Sequence, residues 1–210
     1  MQRIWGLLIF AACNSGGADL DAPGSNGGDG NGGDGNGGDG PGGGSDAAVL
    51  IDASPGVGEP PELMGITLFH NQIRAMVVTS TPLPALQWDA SLAATAAAWV
   101  AQCQNTDGFP QILDHNPGRS TGHPYYVGEN IYASSGTATA QGALNSWGAE
   151  KPNYNPSTGA CTGTCGHYTQ VVWRTTLKVG CARGNCPGIQ YPSTIVCDYG
   201  PGGNSGGLAY

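Results

Sequence analysis

The sequence predicts an α+β fold, and three observations carry that prediction. Apolar residues at helical spacing occupy the first part of the region after residue 60, and strand-like alternation closes its end. That same region holds four of the five Trp, all eight Tyr and two of the three Phe, enough for one core of ordinary size. Helices first and strands late around a single core are the layered pattern of α+β proteins.

The elements follow in order. Leu63, Ile66, Ile73 and Met76/Val77 fall on one helical face, so residues 62–79 read as a first helix, closed by Pro82 and Pro84. Asp89 is an N-cap for a second helix, in which Leu92, Ala96, Trp99 and Cys103 repeat at four, three and four. Residues 104–127 read as loop, broken by Pro110, Pro117 and Pro124. Val127–Tyr132 alternates as a short strand, and residues 138–150 form a third helix with Ala140, Leu144 and Trp147 together. A turn-rich loop over Tyr154–Cys165 leads to a short helix at His167–Arg174. Two antiparallel strands, Lys178–Arg183 and Ser193–Tyr199, close the chain around a Gly/Pro loop.

Residues 1–60 are of another kind. Met1-Gln2-Arg3 and the apolar run Ile4–Ala12 fit a signal peptide over 1–12, too short to span a bilayer. Phe10-Ala11-Ala12-Cys13 resembles a bacterial lipobox, which makes Cys13 a lipidation site and the membrane a partner through that anchor. Residues 13–60 read as a Gly/Asp-rich tether with Asn-Gly-Gly-Asp-Gly three times in succession from residue 26. Such a chain would reach ~40 Å as a flexible coil. The net charge of -8 belongs to this segment, because residues 61–210 carry six bases against seven acids. Without a basic cluster the chain is not expected to bind nucleic acid.

Seven Cys are present, and setting Cys13 aside leaves Cys103, Cys161, Cys165, Cys181, Cys186 and Cys197. An even number in an exported domain reads as a disulfide framework, with 15 possible connectivities. A structural zinc site at Cys161 and Cys165 is the rival reading, and an oxidising compartment argues against it.

Chemistry-bearing residues are few. The chain has four His and no H-E-x-x-H, G-x-S-x-G or Walker pattern. His167 stands between Cys165-Gly166 and the apolar Val171-Val172-Trp173. Glu129 lies in Gly128-Glu129-Asn130, Glu150 follows Trp147, and His115 sits in a loop. Brought together, two imidazoles could bind a divalent metal while the carboxylates orient them. The same set suits general acid–base work, and equally a pair of satisfied buried hydrogen bonds.

Several segments resemble the CAP superfamily of cysteine-rich secretory proteins, antigen 5 and pathogenesis-related protein 1 (the SCP domain). They are Leu86-x-Trp88-x3-Leu92-x3-Ala96-x2-Trp99-x3-Cys103, Gly128–Tyr132, Trp147-x2-Glu150-x3-Tyr154, Cys165–Trp173 and Val196–Tyr199. The resemblance implies a three-layer α-β-α sandwich stabilised by disulfides, over residues 61–210. It places the family's cleft on His115, Glu129, Glu150 and His167, with Gln170 nearby. His115 and His167 become the metal ligands for a divalent ion such as zinc, and His123 is the rival to His115. His70-Asn71-x2-Arg74 also matches a family helix and reads as structural. The resemblance implies no single reaction; with no nucleophile placed by a recognised motif and a lipobox-like start, the expected role is an exported, bacterial, non-enzymatic binding module for a lipid or sterol, a metal or a protein. A metal-dependent hydrolase using the same cleft and a cell-surface structural protein are the alternatives.

Overall fold

The computed structural model describes residues 57–106 and 112–210. The signal peptide expected over 1–12, the lipidation expected at Cys13 and nearly all of the tether lie outside the described residues.

The chain enters through a 3-10 turn, Pro61–Leu63, and then α1, Ile66–Ala75. The single helix expected over 62–79 is therefore shortened at both ends. At its start Gly65 has φ 85°, a left-handed conformation that interrupts the helix. Glu59 caps the restart, accepting hydrogen bonds from Gly65 N at 2.7 Å and Thr67 N at 2.9 Å. At its end the β-branched run Val77-Val78-Thr79 stops the helix well before Pro82.

Gln87–Trp88 forms β1, a two-residue strand too short to leave a periodic signal. Asp89 then caps α2, Ala90–Val100, accepting from Ser91 N at 2.9 Å and Leu92 N at 3.1 Å. Helix α2 ends before Cys103, which sits at φ 49° outside the helix rather than on its apolar face. β2 spans Gly128–Ser134, and α3 spans Ala140–Gly148 with Thr139 as its cap. α4 is Gly166–Val171, and β3 (Lys178–Asn185) and β4 (Ser193–Gly200) complete the fold.

The four strands form one sheet in the order β1-β3-β4-β2. β1 runs parallel to β3, and both other pairings are antiparallel. β4 lies inside the sheet and is buried on both faces, so successive residues serve different cores. Val196 joins Ile131 and Ala182 beneath Ala96, Trp99 and Val100 of α2. Ile195, Cys197 and Tyr199 face the other way, toward Ile66 of α1, Leu144 and Trp147 of α3, and Tyr168 and Val171 of α4. The architecture is thus a three-layer α-β-α sandwich. Gly180 makes the α2 side possible: a Cβ there would lie 2.7 Å from the Leu92 carbonyl carbon.

All six cysteines after Cys13 are paired, as Cys103–Cys186, Cys161–Cys165 and Cys181–Cys197. The first ties the end of α2 to the end of β3. The second closes the loop before α4, and the third crosslinks β3 to β4, leaving no thiolates for zinc at Cys161 and Cys165. His70, Asn71 and Arg74 pin α1 from within. The Asn71 side chain exchanges two hydrogen bonds with the Leu86 backbone. The buried Arg74 guanidinium donates to the carbonyls of Pro84, Val171, Trp173 and Thr176.

Candidate functional site

Two His–Glu pairs stand at the ends of elements that the fold fixes tightly. In the first, Glu150 follows α3 and reaches across to the start of α4. Its Oε1 accepts from His167 Nδ1 at 2.6 Å, and its Oε2 from the backbone N–H groups of His167 at 3.0 Å and Tyr168 at 3.1 Å. The N-cap residue of α4, Cys165, provides no side-chain cap, so Glu150 satisfies the exposed first-turn donors in its place. The His167 ring also stacks on Trp147, with centroids 6.2 Å apart and planes 14° from parallel.

The second pair joins β2 to the preceding loop. Glu129 Oε1 accepts from His115 Nδ1 at 2.6 Å and from Asn116 N at 2.9 Å. The Glu129 side chain is fully buried while that of His115 is 58% exposed, so a rigid carboxylate holds an imidazole that faces solvent. His167 is 31% exposed against 14% for Glu150, the same arrangement in weaker form.

In both pairs the carboxylate fixes the proton on Nδ1 and leaves Nε2 as the lone-pair nitrogen. Neither Nε2 makes a hydrogen bond to the described residues. Among the described residues no group of three or more His, Cys, Asp and Glu side chains is arranged to hold a metal ion. A metal here would take protein nitrogens from the imidazoles and its remaining ligands from elsewhere.

The two pairs are joined through β2. Asn130, next to Glu129, donates to the His167 carbonyl at 3.0 Å and to Tyr199 Oη at 3.2 Å. Tyr199 Oη lies 2.8 Å from His70 Nε2, and His70 Nδ1 donates to the Ile66 carbonyl at 2.7 Å. The carbonyl can only accept, so Nδ1 carries the hydrogen and Nε2 receives the tyrosine proton. Burial holds the His70 imidazole well below its ordinary value, at about 4. His70 is a neutral internal strut, not a ligand. Asn130 and Tyr199 were not singled out from the sequence as site residues. The Gly-Glu-Asn motif is the signal that marks Asn130, but its partners lie 37 and 69 residues away.

The hydrogen bonds of the Gln170 side chain go to neither pair. Gln170 is buried, accepts from Gly203 N at 2.8 Å and donates to Thr176 Oγ1 at 3.3 Å. It packs behind the site against Gly128, where any Cβ would overlap its carboxamide. His123 lies elsewhere, stacked on Tyr125 with Nε2 3.1 Å from Thr95 Oγ1. A groove of mixed character, about 240 Å³, opens between α1 and α3, lined by Phe69, Ile73, Met76 and Leu144 and by polar side chains including Gln72 and Lys151.

Comparison with known proteins matches residues 68–199 to the Cysteine-rich secretory protein family, CAP. Pathogenesis-related protein 1 of Arabidopsis thaliana is 40% identical over 136 residues, covering 64% of this chain and 73% of the relative. GLIPR1-like protein 1 of Bos taurus is 38% identical over 144 residues, 64% of this chain and 56% of the relative. Glioma pathogenesis-related protein 1 of Mus musculus is 39% identical over 142 residues, covering 64% of this chain. The match spans about half of that mouse protein's length, 51%. Among solved structures, NaASP2 with Zn2+ superposes with a TM-score of 0.52 at 25% identity, covering 69% of this chain and 82% of that one. BmVAL-1 gives 0.51 at 26%, over 69% and 79%.

Proposed function

The chain belongs to the cysteine-rich secretory protein (CAP) family, and on that premise we propose that it is an exported, non-enzymatic binding module whose two His–Glu pairs take a divalent cation such as zinc. One observation carries this reading: each imidazole is held through Nδ1 at 2.6 Å by a carboxylate, and its Nε2 is left open. A carboxylate behind a histidine fixes the tautomer and orientation that a metal ligand needs. Two imidazoles fill half of a tetrahedral zinc sphere, and the remaining positions suit water or a donor group from a bound partner. The likeness to NaASP2, solved with Zn2+, supports the choice of ion.

The carboxylates favour holding over catalysis. Glu150 accepts three N–H donors through its two oxygens, and Glu129 accepts two through Oε1 while its Oε2 is buried away from any approaching substrate. A general base must reach its substrate's proton with an oxygen free to take it. The hydrolase alternative expected from the family resemblance has less support for that reason. Calorimetric titration of the full chain with zinc tests the reading. Saturable binding should weaken at least tenfold in His115→Ala and in His167→Ala. Undiminished binding in both variants, or none in the parent, contradicts it.

A second reading has its own observation. The open groove between α1 and α3 sets Phe69, Ile73, Met76 and Leu144 beside the polar Gln72, Gln141, Asn145 and Lys151, and Met76 is 63% exposed. It suits the acyl chain of a lipid ligand. A fluorescent fatty acid should bind saturably and be weakened by Ile73→Lys; absence of saturable binding contradicts this. Membrane anchoring through Cys13 and a bacterial origin rest on the sequence of residues 1–13 alone. Cys13→Ser should move the protein from the membrane fraction to the soluble fraction.

A further inference from the structure

We propose that Asp198 retains a proton and donates it to Glu129 Oε2, so that Asp198, Glu129 and His115 form one hydrogen-bonded chain that positions the His115 imidazole. Asp198 and Glu129 are direct partners across the β4–β2 ladder. Both side chains are fully buried. Asp198 Oδ1, Asp198 Oδ2 and Glu129 Oε2 have no hydrogen-bond partner when both groups are counted as carboxylates. Three orphaned acceptors side by side are costly in a protein interior, and two carboxylates have no donor to offer each other. One proton between them turns the repulsion into a hydrogen bond.

The donor inventory decides which residue holds the proton. Glu129 already accepts from His115 Nδ1 and Asn116 N through Oε1, so Oε2 is the oxygen left to accept from Asp198. Asp198 accepts from nothing. The surroundings agree: burial first, and then the Glu129 charge, push the Asp198 carboxyl up to about 8, with Arg119 opposing. The other groups facing this position are few. Arg119 is itself engaged with the carbonyls of Val127 and Asn116 and with Tyr126 Oη. Helix α2 carries no titratable side chain, and Asp89 at its N-terminus is paired with Lys178 at 2.9 Å.

The arrangement gives the exposed histidine a buried foundation. His115 is held by one oxygen of Glu129, and rotation of that carboxylate would break the contact. A donor on Oε2 fixes the carboxylate plane and therefore the ring. Asp198 is a positioning residue, and this holds whether or not the imidazoles take a metal.

Infrared spectroscopy of the full chain tests the proton directly. At pH 6 the parent should show a protonated-carboxyl C=O band that disappears in Asp198→Asn and persists in Glu150→Gln. No such band in the parent, or its survival in Asp198→Asn, overturns the proposal. The positioning role is read from the ¹⁵N resonances of His115. Asp198→Asn, whose amide can donate to Oε2, should keep the Nδ1–H tautomer, and Asp198→Ala should lose that preference. His167 resonances report that each variant is folded. Unchanged His115 signals in folded Asp198→Ala contradict the positioning role, and if the alanine variant does not fold, loss of the tautomer in folded Asp198→Asn contradicts it instead.

Discussion

Glu150 grips His167 twice, at the ring Nδ1 through Oε1 and at the backbone N–H through Oε2. One carboxylate thereby sets both the rotamer of the histidine and the start of the helix that carries it. Replacing Glu150 with Gln puts an amide NH2 where one acceptor oxygen was, facing N–H donors. Glu150→Gln should weaken zinc binding 10–100-fold, the usual cost of losing a carboxylate behind a metal-binding histidine. Calorimetry beside the parent checks it, and a chain that binds zinc as tightly as the parent contradicts the role given to Glu150.

His70 should make the fold acid-sensitive. Its folded value of about 4 lies below the ordinary 6.5, so the unfolded chain binds the proton first as pH falls. The stabilisation is complete above about pH 6.5 and is lost progressively toward pH 4, amounting to about 3 kcal/mol. Asp198 acts in the opposite sense. Its folded value is raised, so its contribution is greatest at low pH and declines as pH rises from about 4 to about 8. The His70 effect is therefore read as a difference: urea denaturation at pH 5 and pH 7 should show a smaller acid loss in His70→Gln than in the parent. Equal losses contradict the assignment.

Arg74 joins α1 to the segment after α4 through four backbone carbonyls, with no carboxylate partner among its hydrogen bonds. Burial lowers its guanidinium to about 10, still charged at neutral pH. Arg74→Leu removes every donor and leaves the carbonyls of Pro84 and Val171 without theirs, while Trp173 keeps only the Thr176 N–H. The expected loss is ~3 kcal/mol or more. Arg74→Lys, which keeps the charge and one nitrogen, should lose less. Thermal unfolding of both variants orders them, and a leucine variant as stable as the parent contradicts the account.

The legibility of the sequence divides along physical lines. Asp89 as a cap, the β4 residues Ile195, Cys197 and Tyr199 on one side, and the Ala140/Leu144/Trp147 face follow from local rules, and the structure has each. β1 escaped because two residues cannot express a period, and its pairing with β3 lies some ninety residues away. Gly65 falls inside the helix expected over 62–79, whereas its left-handed backbone makes it a break. The sequence marks His115, Glu129, Glu150 and His167, but says nothing of which carboxylate serves which imidazole. That partition depends on α3 ending against α4 and on β2 passing the 112–127 loop. Gln170 stands three residues after His167, one helical turn on, yet α4 turns it inward to Gly203. Asp198 looks like any polar residue in a strand until the sheet sets it beside Glu129.

The central claim is that His115 and His167 are both metal ligands through Nε2. Long-range ¹H–¹⁵N correlation spectra of the full chain during a zinc titration test it most directly. The account predicts that Nε2 of both rings shifts together and saturates at one equivalent, while His70 and His123 stay still. Zinc that leaves both rings unmoved, or that moves only His123, would contradict it.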